Sequence, residues 1–106
     1  LSGVVNGVTV KEVQVALERI GAWASARSAR KCRWITNRSG TTKRSSCKRP
    51  PAWMKASGTT EWTFTMRRKL KPGTYRMYVR TIGLDGSTQT TFSPALGNRR
   101  DFRVRP

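Results

Sequence analysis

Two runs of apolar and polar alternation meet at a turn in this 106-residue chain, and no other feature narrows its fold as much. From Thr60 to Leu70, the residues Trp62, Phe64, Met66 and Leu70 fall on one side and Glu61, Thr63, Thr65, Arg67 and Lys69 on the other. Leu70-Lys71-Pro72-Gly73 follows as a Pro-Gly turn, in which Pro fixes φ and Gly accepts the backbone angles a tight reversal needs. Tyr75, Met77, Val79 and Thr81 then alternate with Arg76, Tyr78, Arg80 and Ile82. A period of two is the strand period, and Thr, Val and aromatic residues suit a pleated surface, so the runs read as consecutive strands.

The other segments extend the pattern. Gly3-Val4-Val5 reads as an opening strand, Cys32-Arg33-Trp34-Ile35-Thr36 as another, and Gly83-Leu84-Asp85-Gly86 as a turn. The chain closes on Asp101-Phe102-Arg103-Val104-Arg105, with Phe102 and Val104 facing one way. Between Lys11 and Glu18, Val13, Val15 and Leu17 alternate with Glu12, Gln14, Ala16 and Glu18, which is a half-buried strand. Val13, Ala16, Leu17, Ile20, Trp23 and Ala24 also fall at helical spacing, so residues 12–26 read as strand or partly helical. Gly21 and the valines at 8, 10, 13 and 15 favour the strand. Six or seven short strands with regular turns, in a chain long enough for one core, are the sequence mark of a β-sandwich.

Composition removes whole classes of chemistry. Lys and Arg number 22 against 5 Asp and Glu, with no His, for a formal charge of +17. Without His there is no imidazole base, no Ser-His-Asp or Cys-His arrangement and no His-based metal site. The scattered carboxylates Glu12, Glu18, Glu61, Asp85 and Asp101 offer no paired acids and too few oxygens for a calcium cage. No catalytic residue, metal or cofactor is expected, and what survives is a binding or structural module for something anionic. No segment approaches the ~20 apolar residues of a spanning helix. Leu1 in place of Met, and the lack of a signal peptide, point to a domain excised from a larger protein.

Cys32 and Cys47 lie fifteen positions apart around a loop rich in Gly, Ser, Thr and basic residues. Zinc needs four ligands and the chain offers two thiolates. A disulfide is the better reading than two free thiols; it contributes about 3 kcal/mol for a loop of this size and implies an oxidising, extracytoplasmic setting, secreted or at the cell surface. Asn37-Arg38-Ser39 fits an N-glycosylation acceptor in the same loop, a pattern frequent by chance.

In order, Val13 to Arg19, Cys32-Arg33-Trp34-Ile35, Cys47 with Trp53-Met54-Lys55-Ala56, Gly58 to Phe64 and Leu70 to Gly86 resemble bacterial immunoglobulin-like and fibronectin type III-like domains of secreted or cell-surface proteins, of actinobacterial type. The resemblance covers most of the chain and implies an all-β immunoglobulin-like sandwich of about seven strands in two antiparallel sheets, with residues 1–106 as a single domain. It makes Tyr75 the corner tyrosine at the entry to strand F and places Trp34 on strand C, where these sandwiches bury a Trp beside a cystine. Both cysteines precede strand E, however, so the disulfide is expected to pin a local hairpin or loop beside strand C instead of joining the sheets.

With strands A, B and E in one sheet and C, F and G in the other, parity sorts the outward residues. Arg33, Ile35, Arg76, Tyr78, Arg80, Arg103 and Arg105, with Asp101 at one end, form an expected anion-binding face, while Glu12, Glu18 and Glu61 fall on the opposite outer face. Arg outnumbers Lys fifteen to seven, and its planar fork grips phosphate, sulfate and carboxylate bidentately. Trp34 and Trp62 are expected in the core. Trp53 either packs over the disulfide loop or stacks a sugar ring or base.

The expected function is a non-catalytic accessory module that acts as a spacer beside neighbouring domains of its parent protein. It docks on an anionic polymer, which is a polysaccharide, a wall polymer or lipid head groups. Nucleic-acid binding, mainly non-specific, and a pure scaffold with no ligand are the alternatives; no helix-turn-helix, zinc finger or RNA-recognition aromatic motif is present.

Overall fold

In a computed structural model, the described residues are 2–4, 10–20, 31–59, 61–88 and 98–105. Trp23 and the 21–26 part of the strand-or-helix segment lie outside them. The described chain is all-β: β1 (Ser2–Val4), β2 (Val10–Arg19), β3 (Lys31–Ile35), β4 (Thr42–Ser46), β5 (Met54–Lys55), β6 (Glu61–Thr63), β7 (Gly73–Gly83) and β8 (Arg99–Val104). An antiparallel sheet runs β4-β3-β2-β7-β8, with β5 also paired to β2, and β1 pairs with β6 separately.

β2 is the central strand. Along one edge it pairs with β7 from Val10↔Gly83 to Arg19↔Tyr75, with a register shift between Val10 and Glu12. Its other edge is shared: β5 takes the first half, through Gln14↔Lys55 and Val15↔Met54, and β3 the second, from Leu17↔Ile35 to Arg19↔Arg33. Residues 10–19 are therefore strand, as their β-branched alternation favours, and not the helix that the same spacing permits.

The β3–β4 hairpin turns on Asn37, whose Oδ1 accepts from the backbone N–H groups of Ser39 at 3.0 Å and Thr41 at 3.2 Å. The disulfide Cys32–Cys47 closes the open end of this hairpin, where Cys32 lies opposite Ser45. It is the local staple that the positions of the two cysteines led us to expect.

One face of the sheet carries the main core. Val13, Val15 and Leu17 of β2, Ile35 of β3, Met54 of β5 and Tyr75, Met77 and Val79 of β7 cluster with Ala56, Trp62 and Phe64, and Met66, Leu70, Phe102 and Val104 pack at the margin. Each large apolar side chain buried this way contributes about 1.5–3 kcal/mol. The opposite face has a smaller cluster of Ala16, Cys32 and Trp34, flanked by Cys47, Trp53 and Tyr78. Trp34 and Trp62 are both core, on opposite faces of the sheet.

The strand expected over residues 60–70 is shorter than its pattern. Hydrogen-bonded pairing ends at Thr63, because among the described residues β6 has only the three residues of β1 as its partner strand. The alternation nonetheless records packing: Phe64 is buried, Met66 and Leu70 are half-buried, and Thr65, Arg67 and Lys69 are exposed. Just before β6, Ser57 bridges Thr63 and encloses Gly58, which has φ of 91°; a Cβ there would lie 2.1 Å from the Glu61 carbonyl oxygen.

Candidate functional site

Register decides what the second face presents. Glu18 lies opposite Arg76, Ala16 opposite Tyr78 and Gln14 opposite Arg80, and beyond β7 Arg76 lies opposite Asp101. Directly opposed residues share a face. Glu12, Gln14 and Glu18 therefore share a surface with Arg76, Tyr78, Arg80 and Asp101. This corrects the expectation that acids and arginines occupy opposite outer faces. The reason is topological: β2 pairs with β7 inside one sheet, so its polar parity faces the same way as that of β7.

Groups on this face engage one another. Arg76 Nε donates to Asp101 Oδ1 at 2.8 Å and Nη2 to Oδ2 at 3.2 Å, a bidentate fork. That hydrogen-bonded partnership holds the Asp101 carboxyl below the ordinary aspartate range and raises the Arg76 guanidinium. Tyr78 Oη donates to Glu18 Oε1 at 3.1 Å, and Glu18 is fully buried. Burial first, then the Glu18 charge, pushes the Tyr78 phenol up. Its ring lies 5.4 Å from that of Trp34, whose Nε1 donates to the Ser46 carbonyl at 3.1 Å.

A second chain of contacts runs toward β5. Arg80 Nε donates to Gln14 Oε1 at 2.7 Å, Gln14 Nε2 donates to Glu12 Oε2 at 2.5 Å, and Lys55 Nζ stands 3.8 Å from Glu12 Oε1. The Arg80 guanidinium also lies over the Trp53 ring, 4.2 Å from its centroid. Its partial burial lowers the Arg80 pKa. Beyond the sheet, Asp85 Oδ1 accepts from the hydroxyl and backbone N–H of Ser87, which holds that carboxyl below its ordinary value.

The residues singled out in the sequence thus divide. Arg76, Tyr78, Arg80 and Trp53 come together on one face, each engaged by a neighbour. Arg103 shares that face, opposite Thr74, and is exposed; Arg105 is exposed just past the end of β8. Arg33 and Ile35 do not join them. Trp34 turns toward Tyr78, so the two residues beside it in sequence turn to the main-core face, where Ile35 is buried and Arg33 half-buried.

Four of the five carboxylates are drawn into these internal contacts, and Glu61 on β6 is exposed. Exposed basic side chains include Lys43 and Arg44 on β4, Lys48 and Arg49 just after it, Arg67, Arg68, Lys69 and Lys71 between β6 and β7, and Arg100, Arg103 and Arg105 at β8. Sequence reasoning missed β4 because Thr42-Lys43-Arg44-Ser45-Ser46 has no apolar alternation. Its pairing to β3 was signalled only by a cystine loop of the right length for a hairpin. Among the described residues, no helix is long and apolar enough to cross a membrane.

Compared with protein-family models, curated proteins and solved structures, the chain matches none of them.

Proposed function

We propose that this chain is a non-catalytic accessory module of an exported or cell-surface protein, built as an immunoglobulin-like sandwich, that docks on acidic polysaccharide or other anionic wall polymers through its basic periphery. The sheet order β4-β3-β2-β7-β8 fits the C″-C′-C-F-G order of variable-type domains, with β1 and β6 as the remnant of the facing sheet. On this reading β2 is strand C, not strand B. The Tyr75 hydroxyl donates to the Lys71 carbonyl at 2.6 Å, four residues upstream, which is the geometry of a tyrosine corner. A disulfide fits an extracytoplasmic protein, where thiols are oxidised.

The observation that carries the binding reading is where the acids lie relative to the exposed cations. A formal +17 spread evenly among acids would be partly cancelled at the surface. Here Glu18 is buried and Glu12 and Asp101 face Lys55 and Arg76, while the exposed Asp85 and Glu61 are outnumbered by the exposed cations of the hairpin, the loop before β7 and β8. A field of one sign attracts polyanions through many weak, screened contacts. Arg76 and Arg80 serve the scaffold in this scheme, by tying β7 to β8 and β2.

Retention on a dextran sulfate matrix tests the proposal. The chain is expected to bind at low salt and to elute as the Debye length contracts from about 10 Å at 0.1 M to about 3 Å at 1 M. Failure to bind at low salt, or retention indifferent to salt, would count against it.

A further inference from the structure

The segment between β6 and β7 carries Arg67, Arg68, Lys69 and Lys71 within five positions, and all of these side chains are exposed. No carboxylate occurs in the chain between Glu61 and Asp85. Runs of like charge repel one another and favour loose, solvated chain. This run is instead held at both ends.

At its start, the Arg67 backbone N–H donates to the Arg38 carbonyl at 2.9 Å, in the turn of the β3–β4 hairpin. Arg38 is fixed in its turn: its Nη2 donates to the Lys55 carbonyl, and its guanidinium lies over the Phe64 ring, 5.3 Å from the centroid. At the far end, Tyr75 Oη donates to the Lys71 carbonyl at 2.6 Å and Arg19 Nη2 to the Pro72 carbonyl at 3.1 Å. Met66 and Leu70, on either side of the first three cations, pack against the main core. The segment is tied down through its backbone and its apolar side chains, which leaves its cationic side chains to solvent.

We infer that residues 67–71 are the seat on which one strand of an acidic polysaccharide docks, with Arg38 and Tyr75 as positioning residues that hold its backbone. The inference rests on the polyanion reading above and says which part of the basic periphery does the binding. A backbone already fixed loses less freedom on binding, so its charges hold a partner more tightly than the same charges on a slack loop. From Arg67 to Lys71 the chain spans at most about 14 Å. A polymer with a charge on each unit meets several of these cations at once, whereas a single anion meets one or two. The segment offers bases no stacking platform, because no aromatic residue lies between Phe64 and Tyr75 and Phe64 is buried under Arg38. That favours a polysaccharide over single-stranded nucleic acid, as does the extracytoplasmic setting that the disulfide fits.

The test compares the wild type with Arg67→Gln/Arg68→Gln/Lys69→Gln and two charge-matched controls, Lys43→Gln/Arg44→Gln/Lys48→Gln on the hairpin and Arg100→Gln/Arg103→Gln/Arg105→Gln at β8. Two further variants change no charge: Tyr75→Phe releases the Lys71 carbonyl, and Arg38→Lys loses the fork that reaches Lys55. Each is titrated with dextran sulfate at low and moderate salt, with glucose 6-sulfate as the single unit and a single-stranded oligonucleotide of matched charge as the other polymer, and each is melted alone. The loop variant is expected to lose about tenfold or more in affinity for dextran sulfate, and each control no more than about threefold. It should melt within about 3 °C of wild type, since it alters exposed side chains only. Tyr75→Phe and Arg38→Lys should each lose about threefold with an unchanged salt dependence, because the charges remain and only their arrangement loosens. Glucose 6-sulfate should bind at least about a hundredfold more weakly than the polymer.

Equal losses in the loop variant and the controls would overturn the loop as the seat while leaving the polyanion reading in place. Folded Tyr75→Phe and Arg38→Lys proteins that bind like wild type would overturn the positioning roles. Tighter binding to the oligonucleotide than to dextran sulfate would overturn the choice of polysaccharide. Absence of binding to dextran sulfate by the wild type would remove both this inference and the reading it rests on.

Discussion

The guanidinium of Arg80 lies over the indole of Trp53 with its Nε donating to Gln14, so a single side chain joins β7, β2 and the segment before β5. This contact fixes Trp53 against the small cluster over the disulfide. The tryptophan that the sequence left free to stack a sugar is engaged by the protein's own cation.

Arg80→Ala is expected to cost about 1–3 kcal/mol, from the lost cation–π contact and the lost hydrogen bond. Arg80→Lys should fall between, since it keeps the charge and loses the planar fork. The urea midpoint and a red shift of tryptophan emission before unfolding measure the two effects. An Arg80→Ala protein with unchanged midpoint and emission would show that the contact contributes nothing.

Tyr78→Phe removes a hydrogen bond to the buried Glu18 carboxylate and should destabilise by about 1–3 kcal/mol. Because the Tyr78 phenol is raised in the folded chain, its contribution is present below the ordinary tyrosine value of about 10 and is lost as pH rises through the folded value. Denaturation of both proteins near neutral pH and again in strong alkali should show the gap narrowing. A gap that widens with alkali would contradict this assignment.

Asp101→Asn probes the acid limb. The folded-state carboxyl is depressed by Arg76, so its stabilisation is complete above about pH 4 and is lost as pH falls through the lower folded value. The pair is half-exposed, and solvent screening holds its worth to about 0.2–1 kcal/mol. Stability curves of wild type and variant should therefore run apart at neutral pH and converge in acid. Curves that stay parallel to the lowest pH would place the effect elsewhere.

Reduction of Cys32–Cys47, or its replacement by Cys32→Ala/Cys47→Ala, should lower stability by about 3 kcal/mol for a fifteen-residue loop. The loss should register first in the hairpin and in the Trp34 environment, because Cys32 is in contact with that cluster. Near-ultraviolet circular dichroism with and without reductant follows it.

Parity was legible in the chain wherever a strand had one dry face: Trp62, Phe64, Tyr75, Met77 and Val79 are buried where alternation put them. Sheet membership was not legible. Alternation says which residues share a side of one strand and is silent on which strand lies next to it, so β2 was placed across from β7 when it is beside it. That single error sent Glu12 and Glu18 to the wrong surface. On β3 the failure was different: Cys32, Trp34 and Ile35 are all buried because both sides of the strand are covered, and a strand dry on both faces gives no alternation to read.

The central place of β2 has a consequence for how the molecule opens. With β7 along one edge and β5 and β3 along the other, the amides from Gln14 to Arg19 can exchange with solvent deuterium only when the sheet as a whole comes apart. Among the described residues, β4 and β8 each pair with one strand, and they carry many of the exposed cations. The rims can therefore fray and re-form in motions far cheaper than global unfolding, while the interior strand stays closed throughout.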